Sequence, residues 1–107
     1  MQEISPHDLS AWLADPARDA PFLLDVREPA EVAICRLADS VNIPMNLIPS
    51  RQSELPDDRP IVAICHHGVR SFHVAAWLEH AGFSEPLSLA GGVAAWADQI
   101  EPSMPRY

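Results

Sequence analysis

The sequence of 107 residues contains no lysine, and its seven basic side chains are all arginines. Asp and Glu together number 15, which leaves a formal net charge of −8 at pH 7. Proteins that bind nucleic acid or an anionic membrane surface neutralise phosphates with clustered basic side chains. The composition therefore argues against a nucleic-acid or membrane partner. It also means that an anionic substrate is repelled at long range, so any anion site has to be built locally.

Long apolar runs are absent and cysteine is scarce. No stretch approaches about 18 consecutive apolar residues, the length that indicates a membrane-spanning helix. Residues 1–9, MQEISPHDL, do not combine a basic segment with an apolar one, as a secretory signal does. The two cysteines, Cys35 and Cys65, are unlike the disulfide framework of an exported protein. We therefore expect a protein of the reducing cytoplasm, in which a free thiol can do chemistry.

Short apolar runs alternate with segments of helical spacing. The length suits a single domain over residues 1–107, and an apolar share of 48% is sufficient for one core. Strands are predicted at 22–26, 40–44, 61–64 and 86–89, and helices at 5–15, 29–34, 46–50, 71–80 and 93–100. This alternation predicts an α/β fold with a central parallel β-sheet of about five strands flanked by helices on both faces.

Cys65 directly follows the run Ile61–Ile64, which is apolar on both faces like a central parallel strand. Ligands of such sheets bind beyond the carboxyl ends of the strands, so we expect Cys65 at that edge. Gly68 permits a left-handed turn, in which successive backbone amides form a concave anion site. Ser71 is the expected cap of the following helix. Arg70 adds a positive charge that does not titrate away.

A thiol in this position is a candidate nucleophile. Helix N-termini and nearby cations lower cysteine pKa values from about 8.5 to about 3.5–7.5. The thiolate is the reactive form, and the same amides would stabilise a negatively charged adduct. We therefore predict that Cys65 is a thiolate at neutral pH and the catalytic residue of the protein.

The segment CHHGVRS, residues 65–71, resembles the active-site loop Cys-x-x-Gly-x-Arg-Ser/Thr of rhodanese-domain sulfurtransferases. LLDVREPAEV (23–32), VNIP (41–44) and GFSEPLSLAGGVAAW (82–96) resemble three further signatures of that family, in the family's order. The resemblance covers nearly the whole chain. It implies a single rhodanese-like domain.

The resemblance also implies a reaction. Cys65 would attack the sulfane sulfur of a donor, thiosulfate or a persulfide, and would carry that sulfur as its own persulfide. Cyanide, a thiol or a protein sulfur acceptor would remove it, and neither a cofactor nor a metal takes part. Arg70 would steer the anion or brace the loop. The implied substrate-binding residues, mainly through backbone amides around the persulfide, are His66, His67, Gly68, Val69, Arg70 and Ser71.

Two other functions stay open. One is a sulfur-relay or regulatory module whose physiological donor is a protein persulfide. The other is a cysteine phosphatase or arsenate reductase, which the family comparison disfavours because related phosphatases have one more residue in this loop. A metal site at His66 and His67 is also disfavoured, since zinc ligands usually come as separated pairs. We expect these histidines to contribute amides and to shape the pocket mouth.

Charged residues lie at the end of the strand predicted at 22–26 and directly after it. We interpret Asp25 and Arg27 as a structural ion pair or cap, with Arg27 also a candidate substrate-binding residue near the pocket mouth. Glu28 and Glu31 are expected to be solvated acids at the start of a helix.

Cys35 marks a departure from the family pattern, which often reads Gly-His-Ile-Pro-Gly-Ala where this chain has residues 35–40, CRLADS. It has two interpretations. We favour a packed cysteine, because free cysteines are commonly buried. The alternative is a resolving thiol that takes sulfur from Cys65 or forms a disulfide with it.

Overall fold

A computed structural model describes residues 1–107 and shows five strands alternating with five α-helices. The strands are β1 (Gln2–Ile4), β2 (Phe22–Asp25), β3 (Val41–Asn42), β4 (Ile61–Ile64) and β5 (Pro86–Leu89). The helices are α1 (Pro6–Ala14), α2 (Pro29–Ile34), α3 (Ile48–Arg51), α4 (Val69–His80) and α5 (Gly92–Gln99), and 3-10 turns at Met45–Leu47 and Gln52–Glu54 flank α3. None of these helices has the length and apolar character needed to cross a membrane.

All five strands pair in parallel, in the order β1-β5-β4-β2-β3, which confirms the predicted α/β architecture. The central strand is β4, in which Ala63 lies opposite Leu24 of β2 and Ser88 of β5. Because the strands are parallel, their carboxyl ends share one edge of the sheet. Cys65 leaves β4 at that edge.

Alternate residues of β4 face opposite sides of the sheet, as the two-residue period of a strand requires. Val62 and Ile64 pack into a core layer with α1 and α5. Ile61, Ala63 and Cys65 belong to the layer that contains α3 and α4. Fully burying one aliphatic side chain contributes about 1.5–3 kcal/mol, so the two layers together anchor the strand that carries Cys65.

Two differences from the prediction affect the sheet and the site, while other elements differ by one or two residues at their ends. β1 was not predicted, because this edge strand has only three residues and no apolar run, and Gln2 and Glu3 are exposed. The second difference is the start of α4, which begins at Val69 rather than Ser71, so Ser71 is not its cap. Gly68 takes the cap position with φ +96, because its left-handed conformation has already turned the chain into the helix.

Candidate active site

The sulfur of Cys65 is recessed in the loop between β4 and α4, and only 1% of the residue is exposed. Its Sγ accepts a hydrogen bond of 3.0 Å from the backbone N–H of Gly68. The Oγ of Ser71 lies 3.4 Å from the same sulfur and 2.8 Å from the Oγ of Ser88 on β5. Polar groups therefore meet the thiol on the loop side, although Cys65 also packs against the core layer of α4.

The start of α5 packs against this loop and forms hydrogen bonds with it. The backbone N–H of Val93 donates to the carbonyl of Cys65 at 2.9 Å, and that of Ala94 donates to the carbonyl of His66 at 3.1 Å. Gly92 has φ +60, and a Cβ there would collide with the backbone of Cys65 and His66. The paired glycines belong to the segment 82–96 that resembles the family signature, but this supporting role was not predicted. Two adjacent glycines before a helix could have indicated it, because glycine allows two backbone segments to approach closely.

Arg70 projects from α4 to Glu31 on α2. Its Nη1 and Nη2 donate to Oε1 and Oε2 of that carboxylate at 2.8 and 2.9 Å. The hydroxyl of Tyr107 donates to Oε2 at 2.8 Å, and the backbone N–H of Glu28 donates to Oε1 at 3.1 Å. The expectation that Glu31 is a solvated acid is therefore wrong, because these groups hold its carboxylate in place. Arg70 occupies a position that braces the loop.

The same contacts stabilise the ionised form of Glu31. The pKa of Glu31 is lowered from an ordinary 4.5 to about 2, mainly by the hydrogen bonds from Arg70, which outweigh the opposing effect of burial. The hydroxyl of Tyr107 and the backbone of Glu28 contribute to the same lowering. Glu31 is consequently negative at every pH near neutrality.

This depressed pKa predicts how stability depends on pH. Since the folded pKa of Glu31 is lower than the unfolded one, its contribution is fully present above about pH 4.5 and is lost as the pH falls through about 2. We expect the difference in free energy of unfolding between wild type and Glu31→Gln to be constant above this window and to shrink within it. Denaturant unfolding at a series of pH values measures this difference.

A matched control is available on the surface. Glu54 accepts two hydrogen bonds of 2.8 Å from Arg51, but both side chains are largely exposed. Solvent screens such a pair, so Glu54→Gln is expected to change stability, and its pH dependence, much less. Parallel stability curves for wild type and Glu31→Gln throughout the acid range would contradict the prediction.

Arg27 is fully buried, so the structure does not bring it to the pocket mouth as a substrate-binding residue. Its Nε and Nη2 donate to Asp25 at 2.9 and 2.7 Å, Nη2 donates to the carbonyl of Cys35 at 2.7 Å, and Nη1 donates to the Tyr107 hydroxyl at 3.0 Å. Burial alone would lower the pKa of Arg27, but the hydrogen bonds with Asp25 and Tyr107 raise it above its ordinary value. These contacts support the interpretation as a structural ion pair.

His66, His67 and Tyr107 form a stack on the α5 side of the loop. The His66 ring centroid lies 3.9 Å from that of His67 and 3.9 Å from that of Tyr107. Burial lowers the pKa of His66, and the nearby His67 lowers it further. The stack borders a cavity of about 170 Å³ that is also lined by Cys35 but not by Cys65. No three His, Cys, Asp or Glu side chains of the chain converge to hold a metal ion.

The remaining predicted loop residues are placed differently from one another. The residue Val69 is 65% exposed, whereas Ser71 is fully buried beside the thiol.

Cys35 is a free cysteine packed in the core layer of α1 and α5, on the opposite face of the sheet from Cys65. This placement supports the packed interpretation. The part of Tyr107 in the site was not foreseen, because nothing in the irregular segment 101–107 indicates that it returns to the loop.

One family model and three known proteins are similar to this chain. Residues 5–99 match the family model described as a rhodanese-like domain. A protein from Allochromatium vinosum named "Sulfurtransferase" is 42% identical over 91% of this chain and 89% of its own length. A rhodanese-related protein from Thermoplasma volcanium has a TM-score of 0.85 at 29% identity, over 95% of this chain and 96% of its own. "Probable adenylyltransferase/sulfurtransferase MoeZ" of Mycobacterium tuberculosis is 41% identical over 97% of this chain, which spans 26% of that relative.

Proposed function

Because this chain belongs to the rhodanese-like domain family and is a sulfurtransferase of that family, we propose that it moves a sulfane sulfur through a persulfide on Cys65. The donor is thiosulfate or a persulfide, and the acceptor is cyanide or a thiol. Residues 1–107 act as one rhodanese domain. The observation that supports this proposal best is the sulfur of Cys65 held at 3.0 Å by the Gly68 amide at the start of α4.

The first half of the reaction loads the sulfur. The thiolate of Cys65 attacks the outer sulfur of thiosulfate and forms a new S–S bond. The donor's own S–S bond breaks, and its electron pair leaves with sulfite. Negative charge then rests on the outer sulfur of the persulfide, where the amides of residues 66–70 and the N-terminus of the 12-residue helix α4 stabilise it.

The second half of the reaction removes the sulfur from Cys65. Cyanide or a thiol attacks the outer sulfur, and the persulfide S–S bond breaks. Its electron pair returns to Cys65, which is again a thiolate, while cyanide becomes thiocyanate. Ser71 and Gly68 lie close enough to Sγ to stabilise that thiolate through hydrogen bonds. The chemistry requires a reduced Cys65, which fits the reducing cytoplasm.

Mass spectrometry of the intact protein tests the proposal. Incubation with thiosulfate should add the mass of one sulfur atom, and peptide mapping should place it on Cys65 rather than Cys35. Cyanide should then remove the sulfur and release thiocyanate. If neither thiosulfate nor a low-molecular-weight persulfide adds sulfur to Cys65, the proposal is wrong.

A second candidate function, a relay fed by a protein persulfide, is favoured by apolar side chains exposed on α4, the helix that follows the loop. On α4, Val69 is 65% exposed, Phe72 is 43% exposed and Trp77 is 36% exposed. A protein that delivers sulfur to Cys65 would have to approach close to Val69 and Phe72, which lie in the first turn of α4. Saturating, rapid transfer from a persulfidated protein, together with very poor use of thiosulfate, would favour the relay.

A cysteine phosphatase or arsenate reductase is the least supported alternative. The loop in this chain places four residues between Cys65 and Arg70, one fewer than in the related phosphatases. If the protein releases no phosphate from an aryl phosphate, phosphatase activity is excluded.

A further inference from the structure

We propose that Glu31 sets the charge preference for the sulfur donor, so that the site favours a monoanionic sulfane donor over dianionic thiosulfate. This inference rests on the proposed sulfur transfer through Cys65. Glu31 does not touch the reacting sulfur, and it acts through the charge that it places beside Arg70.

Three arginines near the loop are paired with carboxylates. Arg70 is engaged by both oxygens of Glu31, and the buried Arg27 is engaged by Asp25. Arg106, at the cavity beside the histidines, lies 3.3 Å from Asp98. Each pair sums to zero charge. Burial lowers the pKa of His66 and raises that of Tyr107, so both groups are mainly uncharged near neutrality.

The pairing of Arg70 is firmly held. Four donors bind the carboxylate of Glu31: both Nη groups of Arg70, the hydroxyl of Tyr107 and the backbone N–H of Glu28. The Tyr107 and Glu28 donors fix the carboxylate in place, and its two oxygens bind Arg70 in the bidentate geometry of a strong arginine–carboxylate pair. Arg70 therefore offers an incoming anion much less net positive charge than an unpaired arginine would.

The remaining attraction for an anion comes from backbone amides, while the protein as a whole carries a formal charge of −8. Amides at a helix start amount to about half a positive charge, which matches one negative charge better than two. Replacing Glu31 by glutamine keeps the shape and the acceptor oxygen but leaves the charge of Arg70 uncompensated. The dianion should gain more from that change than the monoanion.

Two small donors of nearly equal size test the inference. Thiosulfate carries two negative charges, whereas methanethiosulfonate has a methyl group in place of one anionic oxygen and carries one. Both present a terminal sulfur to the Cys65 thiolate. With methanethiosulfonate, the S–S bond to the sulfonyl group breaks and methanesulfinate leaves with the electron pair, so that the same persulfide forms.

The quantity to compare is the ratio of kcat/KM for thiosulfate to kcat/KM for methanethiosulfonate. In Glu31→Gln this ratio should rise about tenfold relative to wild type, the order expected for one unit charge in a partly exposed site. Glu54→Gln makes the same charge change at the Arg51 pair on the surface and should leave the ratio unchanged. An equal ratio in wild type and Glu31→Gln overturns the inference.

A measurement on the wild type keeps the inference testable if Glu31→Gln does not fold. Added salt screens repulsion of the dianion more than that of the monoanion, so the same ratio should rise with ionic strength. A ratio that falls with added salt overturns the inference, because it would show net attraction of the dianion. If neither of these two donors nor a low-molecular-weight persulfide loads Cys65 in the wild type, the proposed function is refuted as well, whereas loading by both donors with an unchanged ratio in Glu31→Gln refutes the inference alone.

Discussion

Replacing Cys65 with serine is expected to lower sulfur transfer by about 10⁴-fold or more, because the serine hydroxyl neither ionises near neutral pH nor forms a stable persulfide. The folded state should change little. Serine is close to cysteine in size, and its hydroxyl can use the Gly68 N–H that bonds Sγ at 3.0 Å. Thiocyanate release after treatment with thiosulfate measures the activity, and intact mass measures the persulfide.

The matched control is Cys35→Ser. Cys35 is the only other cysteine and is also buried, but it packs in the core layer on the opposite face of the sheet. This variant should still load sulfur on Cys65. A Cys65→Ser protein that is sulfurated as fast as the wild type would show that Cys65 is not the carrier. Loss of transfer in a folded Cys35→Ser protein would instead support the resolving-thiol role of Cys35.

Replacing Gly92 with alanine is expected to cost about 3 kcal/mol or more of folding free energy and to reduce sulfur transfer strongly. The added Cβ would collide with the carbonyl groups of Cys65 and His66, and alanine is strained at φ +60. Relief of the collision moves α5 away from the loop and breaks the hydrogen bonds from Val93 and Ala94. Denaturant unfolding and the thiocyanate assay measure the two effects.

Gly82→Ala separates backbone strain from steric collision. Gly82 has φ +98, but a Cβ there meets no atom within 4 Å. This variant should therefore cost only the strain of a left-handed alanine, about 1–2 kcal/mol, and should keep its sulfur transfer. Equal losses in the two variants would show that the contact between α5 and the loop is not what Gly92 protects.

Local patterns in the sequence were sufficient for most of the fold and for the centre of the site. The β-branched run Ile61–Ile64 predicts the central strand, because such residues pack on both faces of a buried sheet. The position of Cys65 after that run, followed three residues later by Gly68, predicts a thiol at a strand-to-helix turn. The observed bond between the Gly68 amide and Sγ closes within this short segment. Because this contact joins residues only three apart, the spacing in the sequence is sufficient to predict it.

The surroundings of that thiol were decided by contacts between distant parts of the chain. Glu31 and Arg70 are 39 residues apart, and Tyr107 reaches Glu31 across 76 residues. On sequence alone, Glu31 is indistinguishable from any solvated acid in a first helical turn. Arg27 shows the same limit, since only the folded protein reveals that it is fully buried against Asp25 and Tyr107.

The sequence by itself therefore determined the α/β class and predicted the candidate nucleophile and the turn that holds it, because period, β-branching and glycine placement act within a few residues. The charge that faces an incoming donor was decided by the tertiary structure alone. Electrostatic interactions depend on distance in space, and it is the packing of α2, α4 and Tyr107 around the loop that brings those charges together.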